Sequence, residues 1–123
     1  MTKKTIMIAD DSPSIRQLVK MTLTEAGYDV VEACDGEEAL GRIGESHVHM
    51  ALVDLNMPKI DGLDVIRGIR ANPKHKFIPI VMVTTESSVS KRQEGRACGA
   101  TGWIIKPFKQ EQLLAIIKKL IPG

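Results

Sequence analysis

The chain has little of several things. Tryptophan, tyrosine and phenylalanine make up only 3% of its 123 residues, so a core must be built from Ile, Leu, Val, Met and Ala. Cysteine occurs twice, at Cys34 and Cys98, far apart and without a CxxC pattern. That spacing argues against a metal ribbon or a redox dithiol and for buried or half-buried free thiols in a reducing compartment. Charge of one sign is scarce: 17 Lys and Arg against 15 Asp and Glu give a net charge of +2. Nucleic-acid-binding domains are usually far more basic, and no helix-turn-helix pattern is present. Long apolar runs are missing as well. The stretch after the basic start, in MTKKTIMIADD, is too short for a signal h-region and ends in carboxylates. No segment approaches a membrane span, so the expected setting is the cytoplasm. The length suits a single domain over residues 1–123.

What is present is a rhythm. TIMIA (5–9) reads as a buried strand. After Ser12-Pro13, the residues Ile15, Leu18, Val19, Thr22, Leu23 and Ala26 mark one helix face, stopped by Gly27. YDVVEA (28–33) is strand-like; Asp35-Gly36 turns into a short helix through Ala39, Leu40 and Ile43. MALVD (50–54) is a third strand, and Asp61-Gly62 opens a helix closed by Asn72-Pro73. IPIVMVT (78–84) is the most hydrophobic strand, followed by a polar helix, roughly 89–97, that ends at Gly99. TGWII (101–105) and a helix carrying Leu113, Leu114, Ile116, Ile117 and Leu120 complete five β-α units. Near-continuous apolar strands alternating with helices predict an α/β fold with a parallel sheet covered on both faces.

In such a sheet the ligand site lies at the carboxyl ends of the strands. The first strand ends in Asp10-Asp11, the third in Asp54, the fourth in Thr84-Thr85 and the fifth in Lys106-Pro107; only the second ends without a candidate. Neighbouring strands are about 4.8 Å apart, so these groups converge. Three carboxylates on one edge call for a cation, and oxygen-only ligands with water filling the remaining positions suit Mg²⁺. A lysine and a threonine hydroxyl beside them offer what a phosphoryl group needs, and a carboxylate can itself attack phosphorus. Asp10 and Asp11 are tolerable together because they hold a metal.

The set Asp10-Asp11, Asp54 within VDLNMPKIDG, Thr84 within VMVTTES, and Lys106-Pro107-Phe108 resembles the receiver domain of bacterial two-component response regulators across essentially the whole chain. The resemblance implies a flavodoxin-like (βα)5 fold with strand order 2-1-3-4-5. It implies Asp54 as phosphoacceptor, with Asp11, Asp54 and the backbone carbonyl of Asn56 on Mg²⁺ and Asp10 acting mainly through a metal-bound water. Lys106 is expected to pair with phosphoryl oxygens, Pro107 to be cis, and Thr84 to donate its hydroxyl. Asn56 and Glu86 stand where the family gates the hydrolytic water. Trp103 stands where the family usually has a switching Tyr or Phe; an aromatic switch and plain core packing both remain open for it.

The wording DDSPSIR and GATGWIIKPF is most similar to stand-alone chemotaxis receivers of the CheY type, with no output domain. The implied partners are a CheA-like histidine kinase, a phosphatase, and an output partner, such as a flagellar switch, on the face of the fourth helix, fifth strand and fifth helix. Lys91, Arg92, Arg96, Lys109, Lys118 and Lys119 rim that face or are simply solvated. The expected protein is a monomeric switch rather than an enzyme. A phosphate sink, a phosphorelay shuttle and a regulator of pilus motility stay open. An aspartyl-phosphate phosphohydrolase would need an acid two residues after the nucleophile, where Asn56 stands. A flavodoxin-like cofactor carrier would need a phosphate-cradling loop where Asp10 and Asp11 would repel the phosphate. His47 and His49 form an HxH before the third strand, at the end away from the acids, and read as surface residues. Met57 and Met82 read as core filler.

Overall fold

The structure is a computed structural model that describes residues 3–85 and 87–121. Five parallel strands form one sheet in the order β2-β1-β3-β4-β5. The elements along the chain are β1 (Thr5–Ala9), α1 (Pro13–Glu25), β2 (Asp29–Ala33), α2 (Gly36–Glu45), β3 (Met50–Val53), α3 (Gly62–Ala71), β4 (Ile80–Thr84), α4 (Val89–Cys98), β5 (Gly102–Ile105) and α5 (Gln110–Leu120). This is the α/β fold and strand order that the resemblance implies.

Side chains alternate across each strand, and both faces are apolar. Ile6, Ile8, Leu52, Val81 and Val83 face α1 and α5, where Val19, Leu23, Leu113 and Ile117 meet them. Met7, Ala9, Val53, Ile80 and Met82 face the other way, against Ala39 and Ile43 of α2 and Val65, Ile66 and Ile69 of α3. Each such Val, Leu, Ile or Met side chain, fully withdrawn from water, contributes about 1.5–3 kcal/mol. Met57 and Met82 are buried, as core filler should be.

The helices start where their caps stand. Ser12, Asp35, Asp61 and Ser88 each accept a bond from the backbone N–H three residues on, and Pro13 occupies the first turn of α1. Gly99 ends α4 with a φ of 114°, a conformation that favours glycine. Strand ends differ slightly from the pattern: Tyr28, Asp54, Ile78, Pro79 and Thr101 lie just outside β2, β3, β4 and β5.

Two expectations need correcting. Cys34 is exposed, because it follows β2 at the sheet edge, where no strand covers the next position; Cys98 is half-buried as expected, and both thiols are free. The histidines are also not simply superficial. His47 is exposed, but His49 is half-buried and its Nδ1 accepts the Thr5 N–H at 2.9 Å. His75, which sequence pattern did not single out, is fully buried, with Nε2 accepting the Val48 N–H at 3.0 Å.

Candidate functional site

The acids converge because three neighbouring strands end together. Ala9 pairs with Val53 across β1 and β3, so the next residues, Asp10 and Asp54, sit side by side. The backbone holds both: Asp10 N–H donates to Ala33 O at 3.1 Å and Asp54 N–H to Ala9 O at 2.9 Å. One carboxylate oxygen from each of Asp10, Asp11 and Asp54 lies within 4.8 Å of the others. Asp10 is fully buried and Asp54 only 6% exposed, whereas Asp11 faces solvent. The cluster is thus open on one side.

Lys106 enters from β5. Its N–H donates to Thr84 O at 2.9 Å, and the Lys106–Pro107 peptide is cis, as the resemblance implies. The side chain is 13% exposed, and its ammonium lies 2.5 Å from Asp10 Oδ2 and 3.3 Å from Asp54 Oδ2. A cation this close offsets part of the cost of two buried carboxylates. It does not offset all of it. Burial pushes the Asp54 carboxyl up from its ordinary value, and the Asp10 charge adds to that; Lys106 and the Asn56 N–H, 3.3 Å from Oδ1, pull the other way.

Both Asp10 oxygens are already engaged, Oδ1 by the Ser12 N–H at 2.9 Å and Oδ2 by Lys106. The Asp54 oxygens have partners too, but longer ones, both at 3.3 Å, and no hydrogen bond to the exposed Asp11 carboxylate is seen among the described residues; these two acids are the ones with most room for a further ligand. Oxygen donors at this spacing fit a small hard divalent cation that keeps several waters. Thr84 is fully buried at the end of β4, and Asn56 is exposed. Glu86 lies outside the described residues.

Trp103 is half-buried on β5, paired in register with Met82. The Arg92 guanidinium of α4 lies 5.3 Å from the indole centroid, within cation–π range. The indole Nε1 is buried without a hydrogen-bond partner. Lys91, Arg96, Lys109, Lys118 and Lys119 are exposed, and Lys91 pairs with Glu94 at 3.3 Å.

The sequence pattern shows Gly36 as part of a turn and Gly62 as the opening of a helix, but both are packing constraints. A Cβ on Gly62 would stand 2.2 Å from Asp54 O, and one on Gly36 would stand 2.0 Å from Ile60 O. Gly62 N–H also donates to Leu55 O at 3.0 Å. The loop carrying Asp54 is thereby pinned against the start of α3. The "DG" pairs were visible, but a turn and a close approach look the same in one sequence. In the same loop Lys59 adopts a φ of 71°, and its Nζ lies 3.5 Å from Asp35 Oδ2.

A buried acid pair with a lysine, set at the carboxyl edge of a 2-1-3-4-5 sheet, defines a class. The chain belongs to the response regulator receiver domains, whose family model matches residues 6–118. It is 42% identical to the chemotaxis protein CheY4 of Vibrio cholerae, with a TM-score of 0.94 over 98% of this chain and all of that one. It is 25% identical, with a TM-score of 0.90, to the receiver domain of the sensor histidine kinase PA1611 of Pseudomonas aeruginosa. That match covers 99% of this chain and 100% of that one, and that structure has a magnesium ion coordinated in its active-site cleft. Protein PilG of Pseudomonas aeruginosa is 34% identical over 96% of this chain and 87% of its own length. A probable transcriptional regulator, ycf27 of Porphyridium aerugineum, is 40% identical over 98% of this chain and 49% of its own length. The chain spans about half the length of that relative. Receiver domains are signalling switches of the phosphorylation type.

Proposed function

We propose that Asp54 is the phosphoacceptor of this receiver and that its phosphorylation by a histidine kinase changes which partner the domain binds. The observation that carries this reading is the placing of Asp54 Oδ2 beside both the Lys106 ammonium and the acid pair. In the transfer an Asp54 carboxylate oxygen attacks phosphorus, a P–O bond forms, and the P–N bond to the kinase histidine breaks, its electron pair staying on the imidazole. Lys106 stands close enough to neutralise charge on the incoming phosphoryl oxygens. Thr84, at the end of the neighbouring strand, is the hydroxyl donor for them. Mg²⁺ held by Asp11, Asp54 and the Asn56 carbonyl would supply charge neutralisation on the same oxygens when bound. Asp10 fixes Lys106 and, when the ion is bound, would add negative charge beside it. Asn56 and Glu86 set how readily water reaches the acyl phosphate, and an Asn and a Glu at these places go with a fairly short-lived phosphoryl group, though one lost slowly beside the turnover of a phosphohydrolase.

The added phosphoryl charge has two sides to act on, Thr84 and the α4–β5–α5 face. Trp103, packed between Met82 and Arg92, is the natural reporter of a change there. The similarity to CheY4 supports a chemotaxis or motility role for that face, and the similarity to PilG favours pilus control as a second reading.

The test is spectroscopic. With Mg²⁺ and beryllofluoride, Trp103 fluorescence should change, and Asp54→Asn should abolish the change. A response retained in Asp54→Asn would remove Asp54 from this role.

A further inference from the structure

The far end of the sheet, at the amino ends of the strands, holds a second group of chemically active residues. β1 runs five residues from Thr5 to Ala9, which puts this end about 16 Å from the acid cluster. An open hollow of about 320 Å³ lies there. Three lysines, Lys4, Lys74 and Lys76, and two histidines, His47 and His49, line it, and no carboxylate does among the described residues. His49 Nδ1 is occupied by the Thr5 N–H, so the neutral ring presents Nε2 as a donor. Every polar side chain around the hollow that carries charge or a fixed proton therefore favours an anion.

The floor is apolar, formed in part by Val48, Ile78 and Pro79. At its rim stands Phe77, 88% exposed, the most exposed large hydrophobic residue among those described. Lys76 Nζ lies 5.7 Å from the Phe77 ring centroid. A single exposed ring is common on a protein surface; what distinguishes this one is that it lines the same hollow as Val48, Ile78 and Pro79 and three lysines, so apolar surface and positive charge are contiguous there.

We infer that this hollow is a docking site for an acidic segment of a partner protein. One apolar side chain of the segment sits on the floor against Phe77, and its flanking carboxylates pair with Lys4, Lys74 and Lys76. A small molecule filling 320 Å³ would leave most of Phe77 uncovered, whereas a peptide wider than the hollow covers it. A bilayer is flat and does not fill a concave floor. A nucleic acid needs a more extended basic stripe than three lysines on a chain of net charge +2. The site is remote from the strand carboxyl ends, so it can tether the receiver while leaving Asp54 and the α4–β5–α5 face accessible.

The experiment is a phage selection from a random 12-residue peptide library on the wild-type protein, after depletion on the double variant Phe77→Ser/Lys76→Glu. Peptides with two or more Asp or Glu flanking an aromatic or branched residue should be enriched. Their affinity should fall at least tenfold on Phe77→Ser or Lys74→Glu, and at least threefold between 50 and 300 mM NaCl. Lys20→Glu on α1 should leave it within twofold. Phe77 and the lysines are exposed, so these variants fold, and circular dichroism verifies that. Failure of any peptide to survive depletion, enrichment of basic peptides, or insensitivity to Phe77→Ser overturns the proposal. Vesicles of phosphatidylserine or a 20-mer oligonucleotide binding more tightly than the peptides, with loss on Phe77→Ser, overturns it in favour of that partner.

Discussion

At the scale of single residues, buried groups are exchanged between cost and use. Asp54 is held where its charge is unfavourable, and that same placing sets a carboxylate oxygen beside a lysine, as the proposed phosphoacceptor needs. His75 shows the opposite arrangement, a polar group spent wholly on structure. Its Nδ1 lies 3.2 Å from Asn72 Oδ1 while Nε2 accepts from Val48, so the neutral ring has both nitrogens satisfied. Burial foremost, then the charges of His47 and Lys74, lower its pKa, outweighing a Ser46 backbone contact that favours the charged form. His49 is lowered likewise, by burial and then by His47 and Lys4. A depressed folded-state pKa means stability that is complete above the unfolded value, about 6.5, and is lost as pH falls through the folded one. Urea midpoints should therefore drop between pH 7.5 and 5.5. In the double variant His49→Gln/His75→Gln that drop should be clearly smaller, whatever the variant's absolute stability. An unchanged slope would mean that these rings do not carry the effect.

At the scale of elements, the loop between β3 and α3 is the joint on which the site depends. Gly62 has no space for a side chain, since the nearest atoms are the Asp54 carbonyl and the Leu55 Cα, and backbone cannot step aside as a flexible side chain can. Gly62→Ala should cost about 1–3 kcal/mol, as overpacking does. It should also weaken magnesium binding, because the strand end carrying Asp54 must shift. Gly41→Ala, with nothing within 4 Å of the added Cβ, is the contrasting variant and should be neutral or slightly stabilising. Calorimetric titration with Mg²⁺ alongside thermal melts separates the two effects. Equal behaviour of the two variants would remove Gly62 as a determinant of the site. α4 is weakly held by comparison, with Gly95 its one buried residue and Val89 68% exposed. An element with so little apolar anchorage is the one a local change at Thr84 can displace at low cost.

At the scale of the whole molecule, site and stability are linked. The cluster gathers three carboxylates from two strand ends, so an ion that neutralises them would bind the folded chain and find no comparable site in the unfolded one. At one hundred times its Kd, Mg²⁺ should add about 2.7 kcal/mol to the unfolding free energy. The increment should vanish in Asp11→Ala, whose exposed side chain has no part in the core. A melting temperature that does not respond to magnesium in the wild type would deny the cluster its role as a metal site. Sodium at matched ionic strength controls for screening.

The sequence by itself determined the five β-α units, their caps and the chemistry at the strand ends, because periodicity, Ser/Asp caps and Asp-Gly turns are local signals. It also held the convergence of Asp10, Asp54, Thr84 and Lys106, since parallel strands must bring their carboxyl ends to one edge. Only the tertiary structure decided which partners each group takes: that both Asp10 oxygens are engaged, that Gly62 lies against the Asp54 carbonyl, that Cys34 is exposed and His75 buried. The His75–Val48 and Lys106–Asp10 contacts join residues 27 and 96 positions apart, the approach of Gly62 to Asp54 depends on how their loop folds back, and the exposure of Cys34 on where β2 lies in the sheet. Burial and pairing at that range are properties of the packed chain, and no local pattern encodes them.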